Sequence, residues 1–186
     1  MLLNKVKILD KGFVGLLSSN ITGKQLQDIQ DTYFRTKTNM KLLNLCSATI
    51  VIKCPLFVQL NLSQYGFDII STPSDNVEAF IPDVSMIKGD SLQDRDKIAE
   101  YIKTTSEVLI LNQVGMPLDG ADDFMSQILT PINTYTEIIV HGDLRKWVNF
   151  LKQDCLPDSM ENYRKALSTI LRVEWGNIEE LQKTLR

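Results

Sequence analysis

The stretch TPINTYTEIIVHGDLRKWVNFL, which runs from Thr130 to Leu151, decides the fold of this chain. Its centre, TEIIV (Thr136–Val140), is rich in β-branched residues and predicts a strand. The residues from Asp143 to Lys152 predict a helix, which we expect to begin at the His141–Gly142–Asp143 break. The stretch is therefore interpreted as a strand that leads directly into a helix, with a glycine between them.

The predicted helix has two distinct faces. Arg145 and Asn149 are four residues apart and share one of them. Backbone N–H groups at the helix start favour an anion, but Asp143, which suits the helix dipole, would repel a phosphate. Spacing alone therefore favours an ordinary solvated face for Arg145 and Asn149. The other face carries apolar residues at i, i+3, i+4 and i+7 and should be buried. These residues are Leu144, Trp147, Val148 and Leu151.

The rest of the chain predicts more helix than sheet. Ser91 is a predicted N-cap for a long helix that extends to about Val114, and Gly115 ends it. The segment from Phe67 to Asp90 is predicted to be irregular, since two prolines interrupt it. Further predicted strands cover Lys5–Asp10 and Ser47–Lys53, and further predicted helices cover Thr22–Phe34, Pro55 to Gly66, a short segment near Asp119, and segments that begin near Asp158 and Asn177. This pattern indicates an α+β or α/β protein.

Composition and charge argue against two classes of function. The chain has 186 residues, of which 44% are apolar and 23% charged, and a formal net charge of −3, as in ordinary globular proteins. Its lysines and arginines form no basic run, so we do not expect nucleic acid to be the main partner. No apolar stretch reaches the roughly 18 residues that a membrane span requires.

Cysteine and histidine usage argues against a metal site and against a nucleophile pair. The three cysteines, Cys46, Cys54 and Cys155, lack paired CxxC spacing, which favours reduced thiols and a cytoplasmic location. His141 is the single histidine, so neither a His-based metal site nor a Cys–His pair has support. Its place beside Gly142 would allow a bond to a ligand phosphate, although an ordinary structural role is the more frequent one.

The segment GMPLDGADDFMSQILTPINTYTEIIVHGDLRKWVNFL resembles the C-terminal half of the flavin-dependent thymidylate synthases, the ThyX family. That family carries a G-[VI]-P…A…[VI]-LP-x-N-x-YT stretch, a strand, and then N-x-R-[SE]-[LW]-x-[HN]-F-L-x-L-R. The matching residues are Gly115, Pro117, Ala121, Pro131, Asn133, Tyr135, Thr136, Arg145, Asn149, Phe150 and Leu151. A weaker match, CSATIVIKCPLFVQLNLSQYG, extends the resemblance to the region from about Lys41 to Leu171.

The resemblance implies a fold, a cofactor and an assembly. The expected fold is a single ThyX-like α+β domain over residues 1–186, with a small, mostly antiparallel sheet and long helices. Family members bind FAD, take a hydride from NADPH, methylate dUMP with a folate-derived one-carbon unit, and form homotetramers whose subunits share active sites. Arg145 and Asn149 match family positions that contact the flavin. Asp143, which falls where the family has Asn, is the third residue that the resemblance assigns to the cofactor site.

The chain departs from the family at the positions that bind the nucleotide. The signature Arg-His-Arg is replaced by Gln64, Tyr65 and Gly66, and no Ser-x-Arg-Tyr follows. The arginine before LP-x-N is Gln127, and the glutamine before the signature is Asn61. The remaining departures are Asp154 for the arginine that closes F-L-x-L-R and Leu45 for the histidine of the early strand. Arginines would hold the phosphate and stabilise charge on the ring, so we expect this chain not to methylate dUMP.

Three functions remain open at this level. The first is a ThyX-like, non-catalytic or regulatory protein that binds a flavin or a nucleotide. The second is a divergent flavin-dependent enzyme for a pyrimidine nucleotide, in which Asn61, Gln64, Tyr65 and Gln127 would form a neutral, hydrogen-bonding substrate pocket. The third is a protein-interaction module unrelated to nucleotides. Bound flavin in the purified protein would separate the first two from the third.

Overall fold

The computed structural model describes residues 2–33, 44–72, 77–120, 122, 125, 127–153 and 158–176. The strands are β1 (Leu3–Ile8), β2 (Gly12–Ser19), β3 (Ser47–Pro55), β4 (Asp68–Thr72) and β5 (Tyr135–Asp143). They form one five-stranded sheet in the order β1-β2-β3-β5-β4, and each pair of neighbours is antiparallel. The predicted antiparallel sheet is therefore confirmed.

The helices of the described residues are α1 (Gly23–Tyr33), α2 (Leu56–Ser63), α3 (Leu92–Gly115), α4 (Leu144–Leu151) and α5 (Asp158–Trp175). Short 3-10 turns cover Val84–Met86 and Met116–Asp119. With α3 at 24 residues and α5 at 18, the α+β class with long helices is confirmed. None of these helices combines the length and the hydropathy that a bilayer crossing requires.

The hydrophobic core lies between one face of the sheet and α1, α2, α4 and α5. β3 and β5 pair along all nine residues of each strand. Ile50 and Val140 are cross-strand partners and both are fully buried, as expected on the covered face of a strand. α4 closes the core with the predicted apolar stripe, which is confirmed and also includes Phe150. The buried residues of α4 are Leu144, Trp147, Val148, Phe150 and Leu151.

Two strands escaped the sequence prediction. β2 was missed, and β4 lies inside Phe67–Asp90, so the prediction of irregular structure was wrong for Asp68–Thr72. It is confirmed for the residues 77–90 apart from an isolated β-bridge at Ala79 and the short 3-10 turn. β4 is a short edge strand whose side chains are exposed or half-buried, such as Ile70. It therefore lacks the hydrophobic alternation that identifies a strand, and its pairing with β5 defines it instead.

The glycine at position 142 does not begin a helix. His141–Gly142–Asp143 are the last residues of β5, and α4 begins at Leu144. Gly142 is buried, and a Cβ atom there would lie 2.5 Å from the ring of Phe67. The indole N–H of Trp147 donates to the Gly142 carbonyl at 3.0 Å. Close packing inside the sheet, rather than a chain break, therefore requires glycine here.

The long helix α3 begins as predicted but buries very little. Ser91 is its N-cap, since its hydroxyl accepts from the Asp94 N–H at 3.1 Å. The only buried residue of α3 is Ser106. Its exposed large apolar side chains are Leu92, Ile98, Tyr101, Val108, Leu111 and Val114. A 3-10 turn follows α3 and ends at Asp119, whereas the short helix predicted to start near Asp119 falls on a segment that the structure describes only in part. Phe34, Ala121, Asp154, Cys155 and Asn177 lie outside the described residues.

Candidate functional site

A cavity of about 440 Å³ opens where β4, the first residues of β5 and the last turns of α3 meet. Its volume is within the range of small-molecule sites, roughly 300–1,000 Å³. The described residues that line it are Leu56, Ser71, Thr72, Val77, Gln113, Gln127, Thr130, Thr134, Tyr135 and Thr136. Hydroxyl and amide side chains dominate this lining, and no described residue in it carries a charge. We call this space the neutral cavity.

Two residues that line the neutral cavity each carry an oxygen atom with less than 1 Å² of accessible surface and no hydrogen-bond partner among the described residues. Thr134 is only 6% exposed, yet its Oγ1 makes no hydrogen bond to the part of the chain that the structure describes. The same holds for Oε1 of Gln113. An unsatisfied buried polar group costs about 1–3 kcal/mol, so these atoms are candidates for contacts with a ligand.

The backbone around Thr134 is held firmly in place. The Thr134 N–H donates to the Pro131 carbonyl, and the Leu56 N–H donates to the Thr134 carbonyl, both at 2.9 Å. The Gln59 amide donates to the hydroxyl of the lining residue Ser71 at 2.7 Å. The walls are therefore fixed by hydrogen bonds, while the Thr134 hydroxyl is left without one.

The charged groups near the cavity neutralise each other. The hydroxyl of Tyr135 donates to Asp10 at 2.5 Å, and burial, followed by this bond to Asp10, raises the pKa of Tyr135 well above its usual value. Lys11 and Lys53 both pair with Glu78, at 3.2 and 2.9 Å. Hydrogen bonds from Lys53 and Lys11 lower the pKa of Glu78 despite partial desolvation. Tyr135 therefore stays a neutral donor, and neither lysine is a free cation.

The residues predicted to contact a flavin lie on α4, with Arg145 and Asn149 exposed on one face. Neither side chain makes a hydrogen bond or ion pair with the described residues. Asp143 is the N-cap of α4, because its Oδ1 accepts from the Lys146 N–H at 2.8 Å. The carboxylate thus occupies the helix N-terminus, where an anion would otherwise bind, and the exposed side chains of Arg145 and Asn149 are the groups that offer donors on this face.

The four residues predicted to bind substrate are not brought together within one chain. Gln127 lines the neutral cavity, and the other three are not among its described lining residues. The Tyr65 ring packs edge-on against Phe150 at 5.1 Å, while Gln64 is exposed beyond the end of α2. Asn61 is half-buried on α2, and its Oδ1 has no partner among the described residues.

Sequence reasoning missed Thr134 and Gln113. Thr134 stands inside the INTYT run that carries the family resemblance, but it is a variable position of that motif. Gln113 lies in the last turn of α3, in the run LNQVG. Of the two amide side chains in this run, it is the one that lines the cavity. No residue pattern marks either position, because their role follows from a buried and unpaired oxygen that only the packed structure reveals.

The described residues offer little nucleophilic or metal-binding chemistry. Cys54 is buried, and burial raises the pKa of its thiol, which makes it a poor nucleophile. His141 is exposed on β5, where its Nδ1 lies 2.9 Å from the Thr49 hydroxyl, and it does not line the neutral cavity. No group of three or more potential metal ligands was found in the described part of the chain.

Comparisons with known proteins support the fold. No family model matches the chain, and no curated protein matches it in sequence. Its structure is similar to that of a UMP/dUMP methylase, PolB from Streptomyces cacaoi, bound with 5-Br UMP, with a TM-score of 0.73 and 13% identity over 96% of this chain and 98% of that one. The complex of PolB with 5-Br dUMP gives a TM-score of 0.75 and 12% identity over 96% and 97%. At this identity the similarity shows a shared fold.

Proposed function

We propose that this chain is a ThyX-like protein that has lost the dUMP-binding arginines and acts as a non-catalytic, flavin- or nucleotide-binding or regulatory homologue of thymidylate synthase in the cytoplasm. The observation that supports it is a fold similar to that of a UMP/dUMP methylase, combined with a cavity whose described lining carries no charge. The fold is thus kept, while the positive charges that would bind a nucleoside monophosphate are missing from the described lining of the cavity.

The missing cations are decisive for dUMP. A phosphate dianion is held by arginine through bidentate, charge-assisted hydrogen bonds, each contributing about 1.5–3 kcal/mol. Among the described arginines, Arg95 donates to the Gly89 carbonyl and Arg164 pairs with Glu161. Neither these two nor Arg145 lines the neutral cavity. The loss of several such contacts weakens binding by several powers of ten, so dUMP would not be held for methylation.

A flavin fits this chain only in part. Arg145 offers a guanidinium without a partner among the described residues, and Asn149 offers an amide one helical turn further along. These groups suit the phosphates and the polar edge of FAD, which would supply hydride chemistry when bound. The helix N-terminus contributes nothing, because Asp143 caps it. A second subunit would have to complete such a site.

Self-association is part of the proposal, and α3 supplies the surface. Ile98, Tyr101, Val108 and Leu111 follow one another at intervals of three and seven residues, so they form an exposed apolar stripe along one side. Leu118, in the 3-10 turn, continues it seven residues further. A stripe of this kind marks an interaction surface, and we propose a second copy of the chain as its occupant, within a homotetramer.

A second candidate is a divergent flavin-dependent enzyme for a pyrimidine nucleotide. The unpartnered oxygens of Thr134 and Gln113 favour it, because they would contact a bound ring. The raised pKa values of Tyr135 and Cys54 disfavour it, since both groups stay protonated and are poor bases or nucleophiles. A pure interaction module is the third candidate, for which the apolar stripe on α3 is the supporting feature.

The small-molecule content of the purified protein tests the proposal. Absorbance and mass spectrometry should detect a bound flavin or nucleotide, and added FAD or FMN should raise the melting temperature, since a ligand of the native state stabilises it. The Arg145→Ala variant should bind flavin more weakly than the wild type, whereas Arg172→Ala, on α5, should bind it equally well. A colourless protein that neither flavins nor nucleotides stabilise would support the interaction module instead.

A further inference from the structure

We propose that the neutral cavity selects an uncharged heterocycle of the uracil class, as the free base or the nucleoside, over its phosphate ester. The pyrimidine part of this inference rests on the proposed function, whereas the preference for an uncharged ligand comes from the cavity itself. Thr134, Gln113 and Gln127 are the residues that we assign to recognition.

The unpaired atoms define what the ligand must offer. Oε1 of Gln113 can only accept a hydrogen bond, so the ligand needs an N–H or O–H donor. The Thr134 hydroxyl can both donate and accept, and the Gln127 amide does both as well. A ring that carries an N–H between two carbonyl groups meets all three requirements, and this arrangement is the edge of uracil and thymine. Both oxygens have less than 1 Å² of accessible surface and no partner among the described residues, so a rotation of each side chain towards the ligand would satisfy both on binding.

The charge balance defines what the ligand must lack. No charged residue is among the described residues that line the cavity. Lys53 lies 5.7 Å from the ring centroid of the lining residue Tyr135, and both Lys53 and Lys11 are paired with Glu78. Asp10 accepts a hydrogen bond from the hydroxyl of Tyr135. A phosphate dianion in this space would lose water without gaining a cation, which is strongly unfavourable. A nucleoside has no such penalty.

Gln127, which replaces an arginine of the ThyX family, has a function in this proposal. An amide in place of an arginine removes the positive charge while keeping hydrogen-bonding capacity at the mouth of the cavity, where Gln127 is exposed. The substitution Gln127→Arg should therefore shift the preference back towards the phosphate ester. Because the side chain is exposed, this variant should fold normally.

Isothermal titration of the full chain with uridine, uracil and UMP tests the inference, with adenosine as a control ligand. We expect uridine or uracil to bind at least tenfold more tightly than UMP, and Gln127→Arg to reduce that ratio. Thr134→Val removes the unpaired hydroxyl without changing the shape of the side chain. It should raise the melting temperature of the ligand-free protein and weaken uridine binding at least tenfold. If Thr134 had only a structural role, Thr134→Val would neither raise the melting temperature nor weaken uridine binding.

The outcomes also separate this inference from the proposed function. If UMP binds as tightly as uridine, or if Thr134→Val leaves uridine affinity unchanged, the inference is overturned while a nucleotide-binding protein remains. If neither uridine nor uracil binds but the protein contains flavin, the inference again fails and the proposed function stands. Conversion of dUMP to dTMP by the purified protein would overturn the proposed function, whichever ligand the cavity prefers.

Discussion

Helices α3 and α4 differ sharply in how they meet the rest of the chain. α4 has eight residues, and five of them are buried. α3 has 24 residues, and one is buried, Ser106. The short helix is a wall of the core, whereas the long helix exposes apolar side chains to solvent. The burial of α4 is completed within one chain, and for α3 we propose that a second copy of the chain covers the exposed side chains. Changes in α4 should therefore affect folding, and changes in α3 should affect assembly.

The largest loss of stability is expected for a substitution of Trp147, one of the core residues of α4. Trp147 is fully buried, lies 4.3 Å from Phe67 between ring centroids and donates to the Gly142 carbonyl. Trp147→Ala should lower the free energy of unfolding by about 3–5 kcal/mol, measured by urea denaturation. Arg145→Ala, on the exposed face of the same helix, is the matched control and should change it by less than about 0.5 kcal/mol. Similar effects of the two variants would contradict the assignment of α4 to the core.

Two glycines, one just before α4 and one at the end of α3, should respond in opposite ways to replacement by alanine. In Gly142→Ala the new Cβ would meet the Phe67 ring at 2.5 Å, and this overpacking should cost about 1–3 kcal/mol. Gly115, the last residue of α3, has a helical φ of −74°, and a Cβ atom added there would meet no other atom within 4 Å. Gly115→Ala should therefore stabilise the fold by about 0.4–1 kcal/mol. Thermal unfolding of both variants measures this contrast, and a neutral Gly142→Ala would show that the ring has room to move.

The exposed stripe of α3 should govern the oligomeric state. Leu111 is 71% exposed, so Leu111→Glu should leave unfolding of the isolated chain nearly unchanged. If a second copy covers this face, the buried charge should weaken self-association at least tenfold, about 1.4 kcal/mol. Sedimentation velocity across a concentration series measures the shift. Glu107→Gln, on the same helix, is a control without an introduced charge, and a wild-type protein that stays monomeric would exclude the proposed interface.

The smallest effect concerns an ion pair beside α4. Arg164 donates to Glu161 at 2.5 and 2.6 Å and to the Leu151 carbonyl at 2.8 Å, and thereby ties α5 to α4. Hydrogen bonding by Arg164 lowers the pKa of Glu161 from its usual 4.5. The pair therefore stabilises the fold above the unfolded-state pKa, and this contribution is lost as the pH falls through the lower folded-state pKa.

The expected size of that contribution is about 1 kcal/mol or less, since both side chains are partly exposed. Glu161→Gln should lower stability near neutral pH by this amount and flatten its decline under acid conditions. Unfolding free energies measured from neutral pH to about pH 3 test the expectation. An unchanged acid decline in Glu161→Gln would show that Arg164 does not perturb this carboxylate.

Strongly patterned elements could be predicted from the sequence, and weakly patterned ones could not. The stripe of α4 and the Ser91 cap of α3 are local signals, and the structure confirms both. β4 was missed because an exposed edge strand has no apolar alternation, and its pairing with β5 is a long-range property. The sequence predicts a break at Gly142, because its packing partner, Phe67, is distant in sequence and adjacent only in the fold.

The candidate site could be predicted from the sequence only in part. Gln127 could be singled out because a family resemblance placed an arginine at that position, and it does line the neutral cavity. Thr134 and Gln113 could not, since a threonine beside a strand and a glutamine in a helix are ordinary residues. Their significance comes from oxygens that the packed chain leaves without a partner. The flavin-contact roles of Arg145, Asn149 and Asp143 stay predictions.

We propose that the chain keeps a fold similar to that of a UMP/dUMP methylase, while the described lining of its cavity has no cation that would hold dUMP. Complementation of a thymidine-auxotrophic bacterium tests it most directly, with an active flavin-dependent thymidylate synthase as the positive control and an immunoblot to show soluble protein. We expect that cells expressing this chain do not grow without thymidine, while the control cells do. Growth without thymidine would contradict the account.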